Sequence, residues 1–282
     1  MKRVRTMLAA VVLAAVAAAV VAGTHARAAA RSGQRLDMSF RSEALGASLR
    51  FEAYLPADYA TSGRRYPVVY FLHGLPAGPT AYHGASFVER ALDRLGRPAI
   101  LVAPQGSRRP QGDPEYLGRW EQAIARELPR VVDSRFRTIR SREGRALVGL
   151  SAGGYGAMLL ALHHLDEFAV IESWSGYFHP TNPAGTAPLD LGSSAANARA
   201  SAHTYVPTLK RTLKQKPTFI GFYVGRDDDR FRDENKELDR ELSGAGVPHV
   251  FRIYPGGHEQ SVWATHAPEW LTLALNHLAA AR

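Results

Sequence analysis

The feature that most restricts the fold of this chain is a regular alternation between apolar runs and segments of helical period. The apolar runs lie at residues 66–72, 99–103, 146–150, 169–174, 218–224 and 249–254. The segments of helical period lie at residues 85–95, 120–132, 155–164, 232–243 and 262–278. A nearly continuous apolar run is typical of a strand that is buried on both faces of a parallel sheet. The alternation therefore predicts one doubly wound, mostly parallel α/β sheet rather than two domains.

Two antiparallel strands are predicted ahead of the first apolar run. Residues 35–40 and 48–55 alternate between apolar and polar side chains, and Leu45-Gly46 lies between them. Two later stretches, at 105–118 and 177–200, are irregular and rich in Gly, Pro, Asn and Ser. Such excursions at the carboxyl ends of parallel strands are where a substrate site is built.

Residues 1–28 have the order of a secretory signal peptide. A basic cluster at Lys2, Arg3 and Arg5 precedes an apolar run from Met7 to Ala22, and the small residues of Ala26-Arg27-Ala28 follow. The alternative is a membrane anchor, but this run is shorter than the roughly 20 residues that a membrane span needs. The sequence thus predicts cleavage near Ala28, export, and a mature domain over residues 29–282 without a stable membrane span.

The composition excludes several other classes of protein. The formal net charge is +9, but residues 1–28 carry four basic residues and no acidic ones, and the remaining arginines are scattered. Scattered basic residues do not form the aromatic-interleaved tract of a nucleic-acid-binding protein. The chain has no cysteine, which excludes a disulfide framework, a thiolate metal site and a cysteine nucleophile.

The sharpest local motif is the GxSxG pentapeptide Gly149-Leu150-Ser151-Ala152-Gly153. It falls between a predicted strand and a predicted helix, where a sharp turn exposes the serine hydroxyl as a nucleophile. The alternative is a glycine-rich connection in which the serine only caps the helix. The position of the motif favours the nucleophile.

A serine nucleophile needs a base, and His258 is the candidate. It follows the last predicted strand and the pair Gly256-Gly257, immediately before the last helix. The alternative role for His258 is that of a solvated loop residue. The other histidines of the mature chain that we weighed end a helix, begin a strand or lie within the last helix: His163, His164, His249, His266 and His277.

The acid that orients the base is expected after the strand at 218–224, because hydrolases with such a serine turn follow the chain order Ser, acid, His. Three consecutive aspartates stand there, and we favour Asp228, three residues after Gly225, with Asp229 as the alternative. A Ca²⁺ loop that includes Asp233 and Glu234 is disfavoured, because the alternating ligands and the central glycine of an EF-hand are missing.

An oxyanion hole requires two backbone N–H donors that face the developing negative charge. We expect them at Ala152, directly after the nucleophile, and at Leu75, in the turn that follows His73-Gly74. The alternative for His73-Gly74 is an ordinary glycine turn. Three aromatic residues are candidates either for the pocket or for the core: Trp120, Trp174 and Tyr177.

Together these segments resemble the putative-esterase family of α/β hydrolases, which includes esterase D (S-formylglutathione hydrolase), feruloyl esterases and secreted mycolyltransferase antigens. The matching segments are Phe71-Leu72-His73-Gly74, residues 148–155, residues 171–178 and Tyr254-Pro255-Gly256-Gly257-His258. The resemblance implies a single-domain α/β-hydrolase fold and a triad of Ser151, Asp228 and His258, with no cofactor and no metal. Export disfavours the formylglutathione substrate, which is cytosolic. An aspartate in place of the glutamate of the mycolyltransferases favours the feruloyl and general esterase branches.

The sequence thus predicts a secreted serine esterase that acts on a small-molecule or cell-envelope ester through an acyl-enzyme. One alternative is transfer of the acyl group to a sugar or lipid hydroxyl by the same triad. A second, from a different class, is an exported binding protein on a hydrolase scaffold.

Overall fold

The computed structural model of this chain describes residues 32–75, 80–106, 116–182 and 186–282. The predicted signal peptide at 1–28 lies outside the described residues. So do residues 107–115 and 183–185, within the two predicted irregular stretches.

The described residues form one sheet of eight strands, which are β1 (Gln34–Ser42), β2 (Ala47–Leu55), β3 (Val68–Leu72), β4 (Ile100–Pro104), β5 (Arg145–Leu150), β6 (Val170–Trp174), β7 (Phe219–Gly225) and β8 (Val250–Tyr254). Their order in the sheet is β1-β2-β4-β3-β5-β6-β7-β8. The first two strands pair antiparallel, β2 also pairs antiparallel with β4, and every other pairing is parallel. The predicted α/β fold, with antiparallel strands at its amino-terminal edge, is confirmed.

Helices cover both faces of the sheet. They are α1 (Ser86–Leu95), α2 (Arg119–Gln122), α3 (Leu128–Arg135), α4 (Ala152–His163), α5 (Ser194–Arg199), α6 (Val206–Gln215), α7 (Arg232–Gly244) and α8 (Gln260–Asn276). Side chains of α3, α4, α6 and α7 belong to the apolar core on one face, and side chains of α1 and α8 belong to the core on the other. Because successive residues of a strand point to opposite faces, Tyr70 joins the first core and Phe71 the second. Among the described residues, no helix combines the length and the apolar character that a membrane crossing demands.

The structure differs from the predicted elements at four places. Helix α6 was not predicted, although Val206, Leu209 and Leu213 bury one side of it, and the short helix α5 lies inside a stretch predicted to be irregular. A π-helical turn, Ala123–Glu127, separates α2 from α3 where one continuous helix was expected. The last strand, β8, is not buried on both faces, because it forms the edge of the sheet and Arg252 and Ile253 are exposed.

One acidic side chain lies inside the sheet core. Glu172 of β6 is fully buried, and its carboxyl accepts hydrogen bonds from the Trp174 indole N–H and the Tyr223 hydroxyl, each at 3.0 Å. Burial raises the pKa of Glu172 to about 8, although both hydrogen bonds act in the opposite direction. At neutral pH the folded protein therefore holds mainly the uncharged acid.

This burial makes the stability of the protein depend on pH. The pKa of Glu172 is higher in the folded chain than its ordinary value of 4.5, so the folded state binds a proton that the unfolded state loses above that pH. The contribution is complete below about pH 4.5 and is lost as the pH rises towards 8. The Glu172→Gln variant lacks this titration. In urea titrations at a series of pH values, we expect its free energy of unfolding to fall less over this interval than that of the wild type, by a few kcal/mol in total. Parallel pH profiles for the two proteins would contradict this expectation.

Candidate active site

The candidate site lies at the carboxyl ends of the parallel strands, where a cavity of about 650 Å³ opens. Five of the residues that the sequence singled out follow the ends of five different strands: Leu75 after β3, Ser151 after β5, Tyr177 after β6, Asp228 after β7 and His258 after β8. Four of these five line the cavity, and Asp228 is buried beside it. Parallel strands bring their carboxyl ends to one edge of the sheet, so residues far apart in sequence meet there.

Ser151 occupies a strained turn between β5 and α4. Its φ of 54° and ψ of −122° are values that residues with a side chain rarely adopt. The turn is held on both sides, because the Ser151 N–H donates to the Trp174 carbonyl at 2.8 Å and the Ser151 carbonyl accepts from the Tyr155 N–H at 3.1 Å. These bonds fix the hydroxyl at the mouth of the turn, where it faces the cavity.

His258 links the serine to an acid. Its Nε2 lies 2.9 Å from the Ser151 Oγ, and its Nδ1 lies 2.8 Å from Oδ2 of Asp228. An ionised carboxylate only accepts hydrogen bonds, so Nδ1 carries the proton and Nε2 presents a lone pair to the serine hydroxyl. The three side chains thus form one hydrogen-bonded chain, an arrangement that could link a nucleophile, a base and an orienting acid.

The three aspartates differ sharply in their surroundings. The side chain of Asp228 is fully buried, whereas that of Asp229 is 87% exposed and pairs with Arg232 at 3.1 Å. Asp227 is exposed as well. Of the two acids that the sequence left open, the structure brings Asp228 to the histidine and leaves Asp229 at the surface.

Two aromatic side chains that the sequence analysis missed pack around the imidazole. The edges of Phe231 and Trp263 approach the His258 ring with centroids 5.2 and 5.0 Å away. Trp263 is fixed in turn, because its indole N–H donates to the Ser175 hydroxyl at 2.9 Å. No sequence motif marked either residue: Phe231 follows Asp228 by three residues, and Trp263 lies in the first turn of the helix after His258.

Hydrogen bonds to a neutral histidine hold the turn that follows β3 in place. The Gly106 N–H donates to Nε2 of His73 at 2.9 Å, and Nδ1–H of His73 donates to the Gly74 carbonyl at 2.8 Å. Burial lowers the pKa of His73, which keeps the ring uncharged. A Cβ added to Gly74 would lie 3.0 Å from the Ser151 Cβ, so this turn passes directly beside the serine. Leu75, the predicted donor, follows and lines the cavity.

The three aromatic candidates from the sequence occupy different places. Tyr177 lines the cavity and stacks on Tyr155 at 5.0 Å. Trp174 is fully buried in the sheet core, and Trp120 is partly buried against the core on the opposite face. The cavity wall is instead completed by residues that the sequence analysis did not propose: Asn182, Arg230, Phe231, Gln260 and Trp263.

A mostly parallel sheet of this order, with a serine on a strained turn between a central strand and a helix, defines the α/β-hydrolase fold. The chain belongs to the Esterase family, described as "Putative esterase", whose model matches residues 42–271. The resemblance seen in the sequence is thereby confirmed, and the family membership supports an ester hydrolase.

Comparisons with individual proteins agree with this family. An esterase of Mycobacterium tuberculosis is 31% identical over 252 residues, which cover 78% of this chain and 54% of that protein, so this chain spans about half the length of that relative. An S-formylglutathione hydrolase of Arabidopsis thaliana is 28% identical over 239 residues, which cover 76% of this chain and 83% of that protein. A solved ferulic acid esterase superposes with a TM-score of 0.72 at 22% identity, covering 88% of this chain and 99% of the other.

The strain at Ser151 can be measured without reference to activity. Glycine tolerates the φ and ψ found there, whereas alanine keeps the Cβ that makes them unfavourable. We therefore expect Ser151→Gly to be about 1 kcal/mol more stable than Ser151→Ala in urea unfolding, even though glycine also gains freedom in the unfolded chain. Both variants lack the hydroxyl, so the comparison isolates the backbone. An alanine variant as stable as the glycine variant would show that the turn is unstrained.

Proposed function

We propose that this chain is a serine carboxylic-ester hydrolase in which Ser151, His258 and Asp228 form the catalytic triad. The observation that carries the proposal is the hydrogen-bonded chain from the Ser151 Oγ through His258 to Asp228, set at the edge of a cavity. The membership of the chain in an esterase family supports an ester as the substrate.

The first half of the reaction acylates the serine. The Ser151 Oγ attacks the ester carbonyl while His258 Nε2 takes the hydroxyl proton, and Asp228 stabilises the resulting imidazolium. The tetrahedral oxyanion accepts hydrogen bonds from the backbone N–H groups of Ala152 and Leu75, each such donor contributing roughly 3 kcal/mol in the transition state. The intermediate collapses when the bond to the alcohol oxygen breaks and His258 returns the proton to that oxygen.

The second half returns the enzyme to its starting state. A water molecule takes the place of the alcohol and gives its proton to His258 as its oxygen attacks the acyl carbon. Collapse of this second tetrahedral intermediate breaks the bond to Ser151, releases the carboxylic acid and gives the proton back to the serine. The role of Asp228 is the same in both halves, because the imidazolium forms twice.

The cavity suggests the size and character of the substrate. Its volume of about 650 Å³ lies within the range of small-molecule sites. Three aromatic side chains, Tyr177, Phe231 and Trp263, contribute to its wall. We therefore propose esters with a compact acyl group, aromatic acyl groups included, and the named activity of the ferulic acid esterase with the same fold is consistent with this class.

The triad is tested by a series of four variants assayed with p-nitrophenyl acetate, p-nitrophenyl butyrate and an aryl ester such as methyl ferulate. Ser151→Ala and His258→Ala remove the nucleophile and the base, and we expect each to lower kcat/KM by at least about a thousandfold. Asp228→Asn is expected to lower kcat by a similar factor, because the amide favours the wrong tautomer of the imidazole.

Asp229→Asn is the matched control for Asp228→Asn. The two substitutions are chemically identical and adjacent, but the Asp229 side chain is exposed and does not contact His258. We expect its activity to stay within about twofold of the wild type. Equal losses in the two variants, or labelling of Ser151→Ala by a fluorophosphonate probe to the same extent as the wild type, would contradict the assigned triad.

We also propose that the protein is exported and processed after Ala28, on the order of basic, apolar and small residues in the first 28 positions. Amino-terminal sequencing of the exported protein should then begin at Ala29. Ala28→Arg places a large charged side chain at the cleavage position and should block processing, whereas Arg27→Ala should leave it intact. Exported protein that still begins at Met1, or protein that remains in the cytoplasm, would contradict the proposal.

A further inference from the structure

A second cluster of functional side chains lies next to the cavity wall and takes no part in the reaction described above. His179, His203 and Glu234 each present one ligand atom, and these atoms lie within 4.8 Å of one another. The three residues come from three segments: the loop after β6, the 3₁₀ turn Ala202–Tyr205, and the first turn of α7. The fold thus brings two imidazoles and a carboxylate together from positions that no sequence motif connects.

The geometry of the cluster centres on the Glu234 carboxylate. The Nδ1 of His179 lies 2.5 Å from Oε1 of Glu234, and the Nε2 of His203 lies 3.7 Å from the same oxygen. The backbone N–H groups of Phe178 and His179 also donate to Oε1, at 2.6 and 3.1 Å. The carboxylate is therefore held in place by the chain itself, with both imidazoles turned towards it.

A second carboxylate orients one of the imidazoles. The Nδ1 of His203 lies 2.6 Å from Oε2 of Glu241, which stands seven residues, or about two helical turns, after Glu234 in α7. This contact fixes the ring so that Nε2 faces the cluster. A carboxylate that accepts the outer N–H of a histidine is the usual support of a metal-binding imidazole, because it sets the tautomer and raises the basicity of the ligand.

A single carboxylate, that of Glu234, lies between the two imidazoles of the cluster. Within the part of the chain that the structure describes, Glu234 forms ion pairs only with these two histidines.

We propose that His179, His203 and Glu234 form a binding site for Zn²⁺, with Glu241 as the residue that orients His203. Two imidazole nitrogens and one carboxylate oxygen are a common ligand set for this ion, which takes a water molecule as its fourth ligand. The three side chains are 35%, 20% and 12% exposed, so an ion and its water can reach the site from solvent.

Two other clusters in the described residues are poorer candidates because a guanidinium already neutralises them. Glu121 contacts His163 and His164, but Arg199 lies 3.1 Å from the same carboxylate. The cluster of Asp37, Glu52 and His83 contains a single imidazole, and Arg35 lies 3.5 Å from Glu52. The site at His179 has two imidazoles and no such competitor among the described side chains.

The proposed ion would join two segments that shape the active site. His179 stands two residues after Tyr177, which lines the cavity, and Glu234 stands three residues after Phe231, which packs against His258. An ion at this position would hold the loop after β6 against the start of α7. Its role is therefore structural, and its main effect is on stability.

The test uses the full chain, purified without a polyhistidine tag, stripped with EDTA and dialysed. Titration with Zn²⁺ in a calorimeter, and elemental analysis after dialysis, are expected to give one ion per chain and a rise in Tm. His203→Gln and Glu234→Gln should each bind Zn²⁺ at least tenfold more weakly, and Glu241→Gln should weaken binding by roughly 10- to 100-fold. Circular dichroism shows whether each variant is folded.

His249→Gln is the matched control. His249 also pairs with a carboxylate of α7, Asp239 at 2.9 Å, so this variant loses a comparable contact on the same helix. It should bind Zn²⁺ as tightly as the wild type. X-ray absorption at the zinc edge of the wild-type protein should show two imidazole ligands, a result that does not depend on any variant. Absence of tight zinc binding, a spectrum without imidazole, or equal losses of affinity in His249→Gln and His203→Gln would overturn the proposal.

Discussion

Close packing between the backbones of β5, α4 and β3 is the constraint on which the candidate site depends. A Cβ added to Gly149 would lie 2.1 Å from the Gly153 carbonyl oxygen, and one added to Gly153 would lie 2.0 Å from the Leu72 carbonyl oxygen. Only glycine fits at either position, because real Cβ atoms do not approach other heavy atoms so closely. This contact seats the first turn of α4 on the end of β3. The serine and the turn that follows His73 are consequently neighbours, and the arrangement of the proposed nucleophile and oxyanion donors follows from the sheet itself.

Two buried titratable groups close to the site lie in surroundings that favour their uncharged forms. Glu172, in the strand next to Ser151, has a raised pKa because it is buried, and His73 has a lowered one for the same reason. Both groups are therefore mainly uncharged at neutral pH, and each serves as a hydrogen-bonding part of the scaffold. Asp228 differs, because its carboxylate is paired directly with His258. Asp228 is thus the acid in direct contact with the imidazole, as the proposed proton transfer requires.

Much of this architecture was predictable from the sequence, and each part that was not has a physical reason. All eight strands were located in the sequence. A strand that helices cover on both faces leaves a nearly continuous apolar run, and a strand that is covered on one face leaves a regular alternation of apolar and polar residues. Helix α6 was missed because Lys and Thr residues stand between Val206, Leu209 and Leu213 and weaken the apolar pattern. The sequence could not separate Asp228 from Asp229, because the direction of a side chain in a loop is set by contacts with distant segments. The wall formed by Phe231 and Trp263 was missed for the same reason: it exists only where separate strand ends meet.

The aromatic residues of the cavity wall lie on segments that connect the strands of the sheet. Tyr177 stacks on Tyr155 and lies 4.9 Å from Phe231, centroid to centroid. The Tyr155 hydroxyl donates to the Ala200 carbonyl at 2.8 Å, which ties the segment after β6 to α4. The aromatic wall is therefore supported partly by the helix that begins at the serine and partly by the loop that carries the acid. A change in the segment after β6 can alter the wall of the cavity, while the ends of the strands keep Ser151 and His258 in place. The ends of the strands thus set the positions of Ser151 and His258, and the segment after β6 contributes Tyr177 and Asn182 to the wall of the cavity.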